Sequence, residues 1–377
     1  MPRPIQAIIS TQAMAHNLAQ VRARIGEVQA SVKSSHRVQT IAIIKANAYG
    51  HGTLNALKGF AEADGLGMID LEDVILCRQQ GWQKPIILLE GFFHQADVEI
   101  LQQYRVTTAV HSFYQIDYLK KAKIGMPPID VMVKFNTGMN RLGFLASQAQ
   151  EVLSLLKSLQ AQGIVGRIGC MSHFANADLE SSYVNEAAEQ MIQLSAFFDG
   201  PLSMCNSAAS IRYPHFGIHA AENWLRPGIC LYGSVPFETR VVGLTDVQFK
   251  PTMTLMADII AIQTLQVGDS VGYGSTFTAD RPMKIAVVAC GYADGYPRSA
   301  AENTPVTVDG QPASLVGRVS MDMLTIDITH LPHAHIGSKV VMWGEQGPSI
   351  DVVADYSNRI GYELMCGLTK RVPVQVI

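Results

Sequence analysis

The sequence predicts an α/β protein, an N-terminal (β/α)8 TIM barrel followed by a mostly β domain. Three observations predict it. Short apolar runs alternate with helical patterns through the first 245 residues, eight such runs are present, and closely spaced extended segments replace this alternation afterwards. Strands that alternate with helices are typical of parallel βαβ units, and eight units fit a closed barrel better than an open sheet. We therefore predict a barrel domain over residues 1–245 and a β domain over residues 246–377.

The eight runs are the predicted barrel strands. In chain order they cover residues 41–45, 65–69, 86–90, 106–110, 129–135, 165–173, 202–206 and 222–226. Helical periodicity lies between them, for example over residues 147–162 and 183–198. We expect Ser147 to be the N-cap of the first of these helices, because its hydroxyl can accept a hydrogen bond from a free backbone N–H.

The C-terminal region is predicted to consist mainly of short strands. A long extended run covers residues 252–266, and further strands are predicted at 284–289, 323–328 and 339–343. The runs 305–308 and 313–316 flank Asp309-Gly310, a strong signal for a β-hairpin. Helical periodicity returns over residues 352–362, where we predict one helix.

Composition and charge exclude several classes of protein. The 377 residues carry 29 basic and 32 acidic side chains and no basic run, which argues against a nucleic-acid partner. No apolar run approaches the ~18 residues of a membrane span. The six cysteines form no CxxC pair and no zinc-ligand pattern, so we expect no metal site and a reducing compartment. The N-terminal residues lack the apolar segment of a signal peptide, so we expect a cytoplasmic protein.

A lysine closes the first predicted strand. Lys45 follows four apolar residues, and chemistry in a TIM barrel takes place at the C-terminal ends of the strands. A lysine buried there has a lowered pKa and can form a Schiff base, whereas an ordinary strand-end lysine extends into solvent. The small, turn-like residues that follow could place the Tyr49 hydroxyl beside a bound anion.

Other polar residues follow the later strands. Lys134, His173, Ser207 and Arg226 all lie at predicted strand ends. Each has a structural explanation by itself, as a buried histidine, a helix cap or a solvated arginine, but their convergence at one barrel mouth indicates a site. The loops after strands 7 and 8 commonly bind phosphate in such barrels, and Ser207 with the N–H groups of Gly228 and Ile229 suits that role.

The motifs around these residues resemble those of bacterial alanine racemases, PLP-dependent enzymes of fold type III. Residues 44–52, IKANAYGHG, resemble the signature of the PLP-binding lysine. The resemblance covers essentially the whole chain and includes, in matching order, residues 88–93, 134–144, 171–175, 206–209, 226–229, 272–274, 291–295, 317–322 and 362–363. It implies an isomerase that interconverts L-alanine and D-alanine, either for peptidoglycan or for alanine catabolism.

The resemblance implies a cofactor site for pyridoxal 5'-phosphate (PLP). Lys45 would carry the cofactor covalently. Arg226 would face the pyridine nitrogen, with His173 hydrogen-bonded behind it. An arginine stays protonated and leaves the ring nitrogen unprotonated, which favours rapid reprotonation over side reactions. The phosphate would be held by Tyr49, Ser207, Gly228, Ile229 and Tyr362.

The resemblance also implies a substrate site shared between two subunits. Lys45 and Tyr273 would be the two bases, the lysine for the D-isomer and the tyrosine for the L-isomer. Arg141 and the backbone N–H of Met321 would bind the carboxylate of alanine. Tyr273 and Met321 would come from the other subunit of a homodimer.

Three further residues have supporting roles in this interpretation. Tyr292 would line the substrate path, Asp322 would support the site, and Lys134 would be carbamylated and would orient Arg141. A bound chloride could supply the same negative charge.

The chain departs from the usual family pattern at two positions. Asn136 stands where aspartate is common, and Ser320 replaces a cysteine of some members. Neither has a direct catalytic role.

Three other functions share part of this pattern. A PLP-dependent racemase of serine, lysine or arginine would keep the Lys45 and Tyr273 pair. A non-catalytic PLP-binding homeostasis protein would resemble the barrel alone, and the β domain argues against it. A Schiff-base aldolase that works without PLP would need neither Arg226 nor the phosphate-binding residues.

Overall fold

A computed structural model describes residues 3–179, 181–237 and 247–377. Eight parallel strands close into a barrel, as the sequence predicts. The strands are Arg37–Ile43, Gly65–Met68, Ile86–Leu88, Thr107–Val110, Ile129–Lys134, Val165–Met171, Leu202–Ser203 and Glu222–Leu225. Each observed strand overlaps one predicted run, and most of the strands end before the run does. The polar residues at the ends of the runs therefore mostly lie just beyond the strands.

One long helix precedes the first barrel strand, and others connect the barrel strands. Their bounds are Thr11–Ser31, Thr53–Gly59, Leu71–Gln79, Asp97–Gln103, Phe113–Leu119, Ala149–Ala161, Ser182–Ser195 and Ser207–Arg212. Ser10 and Ser181 cap two of them through their hydroxyls. The prediction that Ser147 caps a helix is wrong, because Ser147 lies inside a 3-10 turn, Ala146–Gln148, that precedes the α-helix.

The C-terminal region forms a second sheet, mostly antiparallel, which confirms the predicted β character. Its strands are Met253–Leu265, Met283–Val288, Pro305–Val308, Gln311–Leu315, Leu324–Asp327, Lys339–Trp343 and Val374–Val376. A small separate ribbon pairs Ser270–Val271 with Phe277–Thr278. The predicted hairpin is confirmed, since Val308 pairs with Gln311 across Asp309 and Gly310.

An N-terminal strand that the sequence did not indicate joins this second sheet. Ile5–Ile9 runs antiparallel to Met253–Leu265 and parallel to Val374–Val376. The two ends of the chain therefore lie side by side in the C-terminal sheet. The proposed domain division at residue 245 falls outside the described residues and stays a prediction.

The predicted single helix over residues 352–362 is wrong, because two helices occupy that region. They are Ile350–Tyr356 and Gly361–Cys366. Asn358 between them has a φ of 52°, a left-handed conformation that ends the first helix. The second helix packs against the loop after the eighth barrel strand, where a Cβ on Gly361 would lie 2.7 Å from Ser234 Oγ.

No helix among the described residues has the length and apolarity needed to cross a bilayer.

Candidate active site

Residues that follow the barrel strands line a cavity of about 1040 Å³. The structure brings ten of the predicted site residues to its wall. They are Lys45, Tyr49, Lys134, Arg141, His173, Ser207, Arg226, Gly228, Ile229 and Tyr362. Their convergence follows from topology, because parallel strands in a closed barrel end at the same face.

The segment after Lys45 has an unusual backbone. Ala46, Asn47, Ala48 and Tyr49 have φ values of 54°, 52°, 53° and 51°, so four consecutive residues are left-handed. A left-handed conformation costs about 1–2 kcal/mol for each residue with a Cβ. The surrounding structure must stabilise this turn, which directly follows Lys45.

A buried histidine holds the left-handed turn. His51 Nδ1 lies 3.1 Å from the Ala48 carbonyl oxygen and 2.9 Å from that of Tyr49, and its Nε2 lies 2.8 Å from Thr252 Oγ1. Burial lowers the pKa of His51 to about 4, so the ring is neutral. With its proton on Nδ1, the ring donates to the turn, and Thr252 Oγ1, which donates to the Tyr232 carbonyl oxygen at 2.8 Å, lies against Nε2. The lysine segment is thereby tied to the start of the C-terminal region.

Hydroxyl groups and main-chain N–H groups collect near the ends of the last two barrel strands. The N–H of Gly228 donates to Ser207 Oγ at 2.7 Å, and the rings of Tyr49 and Tyr362 lie 5.9 Å apart between centroids. A Cβ added to Gly228 would lie 2.5 Å from the Tyr49 hydroxyl oxygen. Glycine is therefore needed there for the hydroxyl to approach the backbone.

A buried arginine lies across the cavity. Arg226 is 4% exposed and donates from Nη1 to Ser203 Oγ and from Nη2 to the Ser172 carbonyl oxygen. His173 Nδ1 lies 3.5 Å from Nη2. Burial lowers the pKa of Arg226 to about 10, so it stays cationic at neutral pH.

Lys134 ends the fifth barrel strand and lies among other cations. Burial, followed by Arg226, Arg141 and Lys45, lowers its pKa to about 8. Its Nζ donates to the Leu89 carbonyl oxygen at 3.3 Å. Burial and the same cations hold the pKa of His173 well below its ordinary value. This concentration of positive charge favours an anionic ligand.

Asn136, which stands where aspartate is common in the family, stabilises the loop after Lys134. Asn136 Oδ1 accepts hydrogen bonds from the N–H groups of Gly138 at 3.2 Å and Asn140 at 3.0 Å. An aspartate oxygen would accept the same bonds, so the substitution leaves the loop's acceptor in place.

Four predicted site residues lie away from this cavity. Tyr273, Tyr292, Met321 and Asp322 belong to the C-terminal region and are absent from the cavity wall formed by the described residues. Tyr273 is 74% exposed, in a 3-10 turn between two left-handed glycines, Gly272 and Gly274. The roles of all the predicted site residues stay predictions.

The cavity also has acidic lining residues that the sequence interpretation did not assign. Glu90 follows the third barrel strand, and the rule applied to the other strand ends would have found it. Asp178, Asp351 and Asp355 line the wall as well. The last two come from the helix Ile350–Tyr356, and no sequence signal indicates that this helix packs against the barrel mouth.

Comparison with known proteins gives full-length matches. The sequence profile of the alanine racemase N-terminal domain matches residues 9–236, and that of the C-terminal domain matches residues 252–376. The chain belongs to the alanine racemase family. The enzyme class and fold indicated by the sequence, an amino-acid racemase on a TIM barrel with a β domain, are confirmed.

Relatives and solved structures agree with this family assignment. The alanine racemase of Bordetella petrii is 46% identical, covering 100% of this chain and 99% of the relative. That of Erwinia tasmaniensis is 45% identical with the same coverage. The crystal structure of the biosynthetic alanine racemase from Pseudomonas aeruginosa aligns with a TM-score of 0.88 at 36% identity, over 100% of this chain and 99% of that one. The alanine racemase structure from Acinetobacter baumannii gives 0.87 at 34% identity and covers 100% of both chains.

The cavity fits the PLP that the alanine racemase family uses. The cations that lower the pKa of Lys134, three hydroxyl side chains and a glycine in contact with Tyr49 Oη form a donor set suited to a phosphate ester. Among the described residues, no group of His, Cys, Asp and Glu could hold a metal ion.

Proposed function

We propose that this chain interconverts L-alanine and D-alanine with PLP, using two bases on opposite faces of the substrate and two active sites shared across a homodimer. The observation that carries this proposal is the cavity, where Lys45, the buried Arg226 and the hydroxyl set converge. The D-alanine formed would serve peptidoglycan, or the reaction would run toward alanine catabolism.

Lys45, Tyr49, Ser207, Arg226 and Tyr362, with the N–H groups of Gly228 and Ile229, would hold the cofactor. When bound, PLP would withdraw electrons from Cα of the amino acid and so acidify its proton. Arg226 supports this use because it remains protonated and can only donate hydrogen bonds. A ring nitrogen facing it would stay unprotonated, which favours return of the proton to Cα over competing reactions.

Racemisation requires a proton to leave one face of Cα and another to arrive on the opposite face. Lys45 Nζ would take the Cα proton of D-alanine while Tyr273 Oη donates its own proton to the other face. In the reverse direction Tyr273 would take the proton of L-alanine and Lys45 would donate. After each turnover one side chain has gained a proton and the other has lost one. The next turnover therefore runs in the opposite direction, unless proton exchange with solvent restores the original protonation states.

The substrate carboxylate would be received by Arg141 and by the backbone N–H of Met321. Arg141 lines the cavity near Lys134. Lys134 would act through Arg141, and its depressed pKa supports carbamylation, because the neutral amine adds to CO2 and releases one proton. The carbamate formed would attract the guanidinium of Arg141. Tyr292 would line the substrate path and Asp322 would support Met321.

The dimer is part of the proposal because one chain's cavity lacks the second base. Tyr273 is 74% exposed and does not line the cavity of its own chain. A two-fold pair would place each C-terminal region against its partner's barrel and complete two equal sites. We propose a cytoplasmic location because all six cysteines are free thiols.

The proposal is tested by following α-proton exchange in D2O by NMR. Lys45→Ala should lose both racemisation and covalent cofactor attachment after borohydride reduction. Tyr273→Phe should nearly abolish exchange from L-alanine while keeping some from D-alanine. Tyr183→Phe, at a tyrosine that is 67% exposed on a barrel helix, is the matched control and should behave as wild type.

Equal loss from both isomers in Tyr273→Phe would contradict the two-base proposal. A substrate panel in the same assay separates alanine from serine, lysine and arginine. If one of those three amino acids is racemised faster than alanine, that amino acid and not alanine is the substrate.

A further inference from the structure

Two arginines from opposite ends of the chain meet at one buried carboxylate. Asp294 has no exposed side-chain surface, and Arg3 Nη1 lies 2.9 Å from both of its oxygens. Arg371 Nε lies 3.3 Å from Asp294 Oδ1. A buried carboxylate requires such partners, because its desolvation is otherwise unfavourable.

The same two arginines hold a second aspartate. Arg371 Nη2 lies 2.7 Å from Asp322 Oδ1, and Arg3 Nη2 donates to the main-chain oxygen of Asp322. Two guanidinium groups and two carboxylates thus form a charge-balanced cluster, which we call the arginine clamp: Arg3, Asp294, Asp322 and Arg371. Hydrogen bonds between charged groups are stronger and shorter than those between neutral groups, and a guanidinium also fixes their direction.

The clamp acts on the main chain around Met321. Within the same loop as Asp294, the N–H of Ala293 donates to the Met321 carbonyl oxygen at 2.9 Å, and that of Tyr292 donates to Ser320 at 3.1 Å. Asp294 Oδ2 accepts from the N–H of Gly291 at 3.0 Å. A Cβ on Gly291 would lie 2.4 Å from the Met321 oxygen, so the two loops are in close contact.

The clamp is built on the two terminal strands. Arg3 lies two residues before the strand Ile5–Ile9, and Arg371 lies three residues before its parallel neighbour Val374–Val376. Met321 itself is 53% exposed and lies outside regular secondary structure. Its position therefore depends on loop contacts, to which the terminal strands contribute through the clamp.

We propose that Arg3, Asp294 and Arg371 are positioning residues for the substrate carboxylate, because they fix the main chain that presents the Met321 N–H. This inference rests on the proposed function, in which that N–H enters the partner's active site. A backbone donor binds well only within a narrow range of distance and angle, so a loosened loop weakens substrate binding.

The test uses the holoenzyme for kinetics and the cofactor-free protein for hydrogen exchange by mass spectrometry. In Arg3→Gln we expect KM for alanine to rise about tenfold with kcat within about twofold, the pattern of lost uniform binding. Exchange at the amides of residues 320–323 should become faster. Arg3→Lys keeps the charge and should bring both KM and the exchange rate most of the way back to the wild-type values. Arg281→Gln removes the exposed ion pairs with Asp280 and Asp327 in the same sheet and should change neither.

Two results would overturn the inference. Unchanged KM and unchanged exchange in Arg3→Gln would show that the clamp does not hold the loop. Faster exchange with unchanged KM would show that the loop is held but does not bind substrate. Failure of the proposed function is separate, since wild-type protein would then not racemise alanine at all.

Discussion

At the scale of single residues, the site is set by backbone and burial as much as by side-chain identity. Ala46, Asn47 and Ala48 are not glycine, yet all are left-handed, and His51 compensates by bonding to the turn. Motif similarity indicated Lys45 and Tyr49, while the strain between them is visible only in the backbone angles.

The left-handed turn predicts an unusual response to glycine. Ala46 is exposed with a φ of 54°, so Ala46→Gly removes a Cβ penalty and should be neutral or stabilising by up to ~1 kcal/mol. The control is Ala23→Gly, at an exposed position inside the helix Thr11–Ser31, which should destabilise by about 1 kcal/mol. Thermal unfolding at one fixed protein concentration compares them. Equal destabilisation of both variants would contradict the strained turn.

Lys134 predicts a pH dependence of stability. Its folded-state pKa is about 8, below the ordinary value of 10.5. Between these two pH values the unfolded state binds more protons, so the free energy of unfolding rises with pH by roughly 2 kcal/mol from this group. Urea unfolding of cofactor-free wild type and Lys134→Met in CO2-free buffer measures it. The difference between the two proteins should shift in favour of wild type from pH 8 to pH 10.5, and a constant difference would refute the assigned burial.

At the scale of elements, local sequence signals predicted the structure correctly where the residues of one segment determine its conformation. Asp309 and Gly310 have φ values of 46° and 80°, the conformation that a two-residue hairpin requires. The signal for residues 352–362 failed because the break at Asn358 is stabilised by packing of Gly361–Cys366 against the barrel mouth. Apolar periodicity continues across that break, so it could not reveal two helices.

Two glycines with equally open surroundings should respond oppositely to alanine. Gly26 lies inside the helix Thr11–Ser31, and neither its Cβ position nor that of Gly310 has a neighbour within 4 Å. Gly26→Ala should stabilise by about 0.5–1 kcal/mol, because it reduces the freedom of the unfolded chain. Gly310→Ala should destabilise by about 1 kcal/mol, since its φ of 80° disfavours a Cβ. Thermal midpoints measure both, and shifts of the same sign would contradict this assignment of backbone conformation.

At the scale of the whole molecule, activity should depend on two chains. Lys45→Ala keeps an intact Tyr273, and Tyr273→Ala keeps an intact Lys45. A mixed dimer would contain one complete site and one doubly broken site. Random pairing makes half the dimers mixed, so the mixture should recover up to about a quarter of wild-type activity under two-fold symmetry.

Subunit exchange must be shown independently in this experiment, for example with two fluorescent labels. Each mutant mixed with itself is the control and should stay inactive. An inactive mixture after demonstrated exchange would mean that each site is built within one chain.

The sequence by itself determined the eight barrel strands, the β character of the C-terminal region, the family and the residues at the strand ends. Alternation of strands and helices is a local pattern, and a closed parallel barrel brings every strand end to one face. Only the tertiary structure decided that Ile5–Ile9 joins the C-terminal sheet, that Asp351 reaches the cavity, and that Arg3 and Arg371 share Asp294. These contacts join residues that are far apart in the chain, and they depend on how packed elements meet, which no local periodicity or spacing encodes.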